Sequence, residues 1–335
     1  MRKQLIYPTG SWVALITPFD VKGHLDLDGF KGLVNFQASN GTSGLLLMGS
    51  TGEPTSLSLE ERRTIIEEMA PYCKGRIPVF FGVTCGSTAD TVKLAQFVQE
   101  KDGDGIMVVV PPYVAPPQSA VYVFLKSICQ SVDIAVAIYN NPARVIVNID
   151  PPTIVKLVEE CPNLVADKEA VPNVVQLASV MERTRGRLRL LCCDAPNYSL
   201  VIPTLGMGGH GTANVTGNVA PREMADLSKP WGSWDDVVKG RELFFRYLPL
   251  MESAYSATNP VAIKAMAKLM GLPSGAPRPP LPAIEGDKLK PLGDVIQRFK
   301  LGEKYGLDIK PAIKTEGKDF SDALTQTVCD LKTDT

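Results

Sequence analysis

Short apolar runs alternate with amphipathic stretches along this chain at a period of roughly thirty residues, and that rhythm is its strongest constraint on fold. Strands are predicted near 12–17, 44–49, 78–84, 105–110, 134–139, 164–170, 188–193 and 211–216. Helices fall between them, as over Leu59–Tyr72 and Ala89–Glu100. Ser58 with Glu61, and Ser87 with Asp90, have capping-box spacing at the starts of those two helices. Parallel strands need cover on both sides and their crossovers are right-handed, so eight such units predict an α/β fold, a closed (β/α)8 TIM barrel. A doubly wound open sheet is the alternative, although no Gly-x-Gly-x-x-Gly fingerprint follows a strand.

Beyond the last strand the pattern changes. Ser233–Tyr255 and Val261–Met270 read as helices, Leu272–Pro282 is Pro-rich, and Asp287–Leu301 is again helical. The expected division is a catalytic barrel over 1–225, a C-terminal helical appendage over 226–306 and a polar extension over 307–335. A formal net charge of −1 gives no electrostatic reason to expect nucleic acid or an anionic membrane as partner. The longest apolar runs, such as Ile106-Met-Val-Val-Val110, are strand-length, and Pro8 and Gly10 interrupt any signal-peptide core. A cytoplasmic protein is expected. Its seven cysteines are odd in number and lack metal-type pairing, and adjacent Cys192 and Cys193 read as buried thiols on opposite faces of a strand. Only two histidines occur, His24 and His210, far apart, so no histidine-built metal site is expected.

The chemistry centres on Lys168, in the predicted buried strand Leu164-Val-Ala-Asp-Lys-Glu-Ala170. Burial disfavours the ammonium form and lowers a lysine pKa, which leaves an amine able to attack a carbonyl. Alternate strand residues share a face, so Ala166, Lys168 and Ala170 point together and leave room for a small ketone. The alternative is a lysine at a strand end that snorkels to solvent. A barrel gathers its site at the C-terminal strand ends. There Gly49, Ser50 and Thr51 offer amides and hydroxyls to a carboxylate, or simply form a tight turn. Tyr139 can relay protons beside Lys168, or serve as a core tyrosine. Arg144 can grip a substrate carboxylate, or lie in a surface ion pair.

In their order, Gly49-Ser-Thr-Gly-Glu53, Tyr139-Asn-Asn-Pro142, Lys168-Glu-Ala170, Gly208-Gly-His-Gly211 and Asn259-Pro260 carry a resemblance running from about Gly10 to about Pro282. The chain resembles the dihydrodipicolinate synthase and N-acetylneuraminate lyase family, pyruvate-dependent Schiff-base enzymes on a (β/α)8 barrel. The resemblance implies that Lys168 forms an imine with pyruvate, with no cofactor and no metal. It implies that Ser50 and Thr51 bind the pyruvate carboxylate and that Tyr139 shuttles protons. The second substrate would be an aldehyde, and the assembly a homo-oligomer, a tetramer built from pairs of dimers.

Within the family, Arg144 resembles the arginine with which the synthases hold the carboxylate of aspartate semialdehyde. Ser50 resembles instead the lyases and keto-deoxy sugar-acid aldolases, which keeps an aldolase or dehydratase as the second reading and a non-catalytic keto-acid binder as a third. Tyr113 is what survives of a tandem aromatic pair, Val114 standing where synthases place a relay tyrosine from across a dimer interface. Cys193-Asp-Ala-Pro-Asn197 stands where the family has a glycine-aspartate turn lining the aldehyde pocket, and Thr212-Ala213-Asn214 where it has a branched aliphatic stretch near the imine, so Asn197 and Ala213 are expected among the substrate-binding residues. Asp167 occupies a usually apolar position and is expected to have a cationic or amide partner.

Overall fold

The computed structural model describes residues 4–310, so nearly all of the extension expected over 307–335 lies outside the described residues. Eight strands run β1 (Gly10–Ala14), β2 (Gly44–Leu47), β3 (Val79–Gly82), β4 (Gly105–Val109), β5 (Ala135–Asn140), β6 (Leu164–Glu169), β7 (Arg189–Cys192) and β8 (Gly211–Asn214). Each pairs in parallel with the next and β8 pairs with β1, so the sheet closes and the open-sheet alternative falls away. At that seam Gly211 is essential: a Cβ there would meet the Gly10 carbonyl oxygen at 2.0 Å, and its φ of +143° suits no other residue.

The barrel helices are α1 (Leu27–Ala38), α2 (Leu59–Cys73), α3 (Thr88–Glu100), α4 (Gln118–Ser131), the short α5 (Pro142–Val145), α6 (Pro151–Glu160), α7 (Val174–Thr184), α8 (Val201–Gly206) and α9 (Pro221–Leu227). Four more follow: α10 (Trp234–Ala254), α11 (Val261–Leu269), α12 (Lys290–Arg298) and α13 (Leu301–Tyr305). Ser58 and Glu61 form the expected capping box of α2. Ser87 caps α3 through its hydroxyl alone, because the Asp90 carboxylate turns to that hydroxyl rather than to the Ser87 amide.

Two elements differ from the sequence pattern. The first strand lies over Gly10–Ala14 rather than 12–17, although Leu15 and Ile16 are just as buried. The chain leaves the ladder there because the Ile16 amide donates to the Asn218 side chain and the Thr17 hydroxyl to the Gly52 carbonyl. The helix expected over Asp287–Leu301 is broken in two. Pro291 fits only the first turn of α12, and Lys300, at φ +53°, ends that helix before α13.

The C-terminal helices are tied to the barrel mouth by charge. The fully buried Lys264 of α11 donates to Glu53, in the loop after β2, at 2.7 Å and to the Thr17 carbonyl at 3.0 Å. The second Glu53 oxygen accepts from the Arg278 amide, and Arg278 in turn pairs with Glu61 at the start of α2. Among the described residues no helix is long and apolar enough to cross a membrane.

Candidate active site

The C-terminal strand ends open into a cavity of about 880 Å³, lined by Lys168, Tyr139, Ser50, Thr51, Arg144, Asn197 and Ala213. Seven of the nine predicted site residues thus share one space. Gly49 lines an adjoining cavity of about 240 Å³ that shares Ser50, Tyr139 and Arg144 with the first. Tyr113 is the exception. It lines neither cavity and is 92% exposed, because left-handed backbone at Tyr113 and Ala115 turns the loop after β4 into solvent.

Register sets the central pair. Tyr139 and Lys168 are direct partners across β5 and β6, and the Lys168 Nζ lies 4.2 Å from the centre of the Tyr139 ring. Lys168 is buried rather than snorkelling, and that burial, seconded by the Arg144 charge, pulls its pKa below the ordinary lysine value. Cys193 and Asp194 oppose the shift without reversing it. Burial pushes the Tyr139 phenol well above its usual value, keeping it a proton donor, while a hydrogen bond from Asn141 pulls the other way.

The hydroxyl turn after β2 is held from the C-terminal side. Thr51 Oγ1 accepts from Asn259 Nδ2 at 2.9 Å, and the Asn259 carbonyl accepts from Arg144 at 3.1 Å. Thr51 therefore keeps its hydroxyl proton for another acceptor. Asp194, just past β7, accepts from the amides of Val215 and Thr216 at 2.9 and 3.0 Å and from the Tyr255 hydroxyl. Those three donors fix the carboxylate in place beside the lysine. Among the described residues no three His, Cys, Asp or Glu side chains are gathered to hold a metal ion.

The Tyr139 hydroxyl accepts from Asn141 Nδ2 at 2.5 Å and, more loosely, meets Cys193 Sγ at 3.9 Å. One expectation needs correction. Asp167 has no cationic or amide partner: both oxygens are buried without a hydrogen bond. The amides available on that side, Asn140 and Gln176, are engaged with Glu169 and Asn148 instead. Burial and the neighbouring Glu169 accordingly push the Asp167 carboxyl well above the usual range.

Asn141, Cys193 and Tyr255 also line the cavity, and sequence reasoning did not select them. Alternation could have found the first two, since Asn141 lies two residues beyond Tyr139 and Cys193 two beyond Leu191, the register partner of Lys168. Nothing local marks Tyr255, which reaches the site from the end of α10.

Comparison with known proteins comes to the same place. The model of the dihydrodipicolinate synthetase family matches residues 7–299. A curated relative from Aquifex aeolicus, 4-hydroxy-tetrahydrodipicolinate synthase, is 34% identical over 292 residues, 87% of this chain and 98% of the relative. The protein of the same name from Methanocaldococcus jannaschii is 31% identical over 87% of this chain and 99% of its own. The crystal structure of the dihydrodipicolinate synthase from Aquifex aeolicus superposes with a TM-score of 0.83 at 34% identity, covering 88% of this chain and 99% of that one. A monomeric dihydrodipicolinate synthase variant superposes at 0.81 with 31% identity, covering 88% of this chain and 97% of that one.

Proposed function

The chain belongs to the dihydrodipicolinate synthetase family, enzymes of the pyruvate-dependent, class I aldolase type, and on that premise we propose that it condenses pyruvate with aspartate semialdehyde through an imine on Lys168. The observation that carries this reading is the buried, pKa-lowered Lys168 beside the Tyr139 phenol in one cavity with Ser50 and Thr51.

The neutral amine of Lys168 adds to the pyruvate carbonyl, and Tyr139 donates the proton that lets the hydroxyl leave as water. The resulting iminium draws electrons from the pyruvate methyl, whose proton passes to the Tyr139 phenolate to give an enamine. The enamine carbon attacks the aldehyde, whose oxygen takes that proton back from Tyr139 as the new C–C bond forms. The amine of the semialdehyde then displaces Lys168 from the imine and closes a ring, which returns the lysine. Thr51, with its hydroxyl proton free, and Ser50 hold the pyruvate carboxylate. Arg144 presents its guanidinium to the carboxylate of the aldehyde, with Asn197 and Ala213 along the same wall.

The same reading makes it a cytoplasmic homo-oligomer without an external cofactor. Tyr113, Val114 and Ile146 leave an exposed apolar rim on the loops after β4 and β5, a surface suited to a second copy. Borohydride reduction in the presence of pyruvate tests the imine. A pyruvyl adduct mapped by mass spectrometry to Lys168, and missing from Lys168→Ala, supports it; no adduct on folded protein would refute it.

A further inference from the structure

Asn141 stands at the N-cap of α5, and its backbone carbonyl does what that position requires, accepting from the amides of Arg144 at 3.0 Å and Val145 at 3.1 Å. An asparagine there usually spends its side-chain oxygen on a helix amide as well. This one does not. The side chain turns away from the helix, is 2% exposed, leaves Oδ1 without a partner and directs Nδ2 at the Tyr139 hydroxyl, 2.5 Å away.

The phenol has no better contact. Ser50 makes no hydrogen bond with Tyr139 among the described residues, Val114 is 61% exposed in its loop, and Cys193 at 3.9 Å is a weak sulfur contact. The titratable and charged groups around the phenol and its Asn141 partner are Lys168 from β6, Cys193 and Tyr198 after β7, Arg144 from α5, and Tyr255 from the end of α10; Tyr198 also interacts with the Asn141 side chain. None of them supplies a neutral donor at short range.

Resting on the imine reading above, we propose that Asn141 is the positioning residue of Tyr139: its amide occupies an acceptor site of the phenolic oxygen and so leaves the phenolic proton facing the reacting imine. The same N–H stabilises the phenolate when that proton is given up, so Asn141 both aims the acid and eases its turnover. In this chain a carboxamide two residues along the same strand end does what a second hydroxyl would otherwise do.

The test separates the equilibrium extent of imine formation from the rate of proton transfer. Borohydride trapping with pyruvate reports the first. Exchange of the pyruvate methyl hydrogens for deuterium in D2O, followed by NMR without any aldehyde, reports the second. Asn141→Leu keeps the volume and removes the donor. It should trap pyruvate to the wild-type extent with KM within about threefold, yet exchange roughly 10–100-fold more slowly, a part of the usual contribution of a general acid–base group. The limb of the exchange–pH profile that belongs to Tyr139, identified as the one lost in Tyr139→Phe, should move to higher pH. Asn141→Asp, isosteric and without the donor when ionised, should give the same slowing and the same direction of shift, and it decides the matter if the leucine variant does not fold. Wild-type exchange with an unmoved limb in a variant that still traps would overturn the proposal and leave the imine reading intact. A limb moved to lower pH would also overturn it, because the carboxamide would then be accepting from the phenol. Failure of the wild-type protein to trap pyruvate would remove the imine reading and this proposal together.

Discussion

Asp167→Val should make this protein more stable, and the direction can be worked out from the burial of one carboxyl. Asp167 lies on the helix-facing side of β6 at 0% exposure with both oxygens unpaired, two residues from Glu169 on the same face. A buried polar group without a partner costs about 1–3 kcal/mol, and valine, β-branched and of similar size, suits a strand facing aliphatic helices. The pH dependence has a definite sign. Both carboxyls have folded pKa values above their unfolded ones, so above the unfolded value the native state binds more protons and stability falls as pH rises. For Glu169, raised from 4.5 to about 7, the loss across that window is on the order of 3 kcal/mol. Asp167 adds a fall that begins near 3.8 and has the same sign. Thermal and urea unfolding of both proteins at pH 5, 6, 7 and 8 measures this directly. The valine variant should gain about 2–3 kcal/mol at pH 8, roughly 3–4 °C in Tm for a chain of 335 residues, with a shallower loss from pH 5 to 8. Activity should change less than twofold, since Lys168 keeps its strand and neighbours. A destabilised variant, or a wild-type protein that becomes more stable from pH 5 to 8, would refute the reasoning.

Other perturbations separate the parts of the site. Arg144→Ala should leave borohydride trapping of pyruvate unchanged while kcat/KM for an aldehyde bearing a carboxylate falls about 10–100-fold, the loss of one charge-assisted pair; an equal loss for an uncharged aldehyde would place the arginine elsewhere in the reaction. Thr51→Val removes the acceptor of the Asn259 amide together with the hydroxyl offered to pyruvate, so KM for pyruvate should rise about tenfold in steady-state assays. Glu53→Gln strands the buried Lys264 charge and should lower stability by about 3–5 kcal/mol in urea melts, whereas Glu53→Gln combined with Lys264→Met should recover much of that loss.

The period of alternation sufficed for the barrel because each βα unit buries its own strand, and local pattern records local burial. Lys168 and Tyr139 were legible for the same reason: a polar residue inside an apolar strand is visible without knowing its neighbours. That Tyr113 stands outside the cavity was not legible, because its exposure depends on backbone angles in a loop, which carry no periodic signal. Asp167 was misjudged differently. Whether a buried carboxyl finds a donor depends on where Asn140 and Gln176 point, and both are committed to Glu169 and Asn148. The link from Tyr255 to Asp194 spans 61 positions and joins the appendage to the barrel, so no single segment contains it.

The two halves of the site are held by different means, and this bears on how such an enzyme can change its second substrate. Lys168 and Tyr139 sit on paired strands whose register cannot slip without turning every side chain of β5 or β6 to the wrong face. The opposite wall is assembled from the end of α10 and the segment before α11, which includes Ser256, Thr258 and Asn259. That wall is docked by a few polar anchors: Tyr255 on Asp194, Asn259 on Thr51, and Lys264 on Glu53. Each anchor ends on the barrel side of the cavity, so residues between them, such as Ser256 and Thr258, can be exchanged without moving the imine. On the function proposed above, the imine pair is thus fixed by sheet register, whereas the wall facing the aldehyde beyond Arg144, Asn197 and Ala213 includes a segment that can be exchanged between its anchors. Pro196 and Asn197, in the loop after β7, line the cavity without contacting the phenol, whereas Asn141 and Cys193 touch it. Substitutions of the first kind should therefore alter KM for the aldehyde, and substitutions of the second kind the rate of proton transfer.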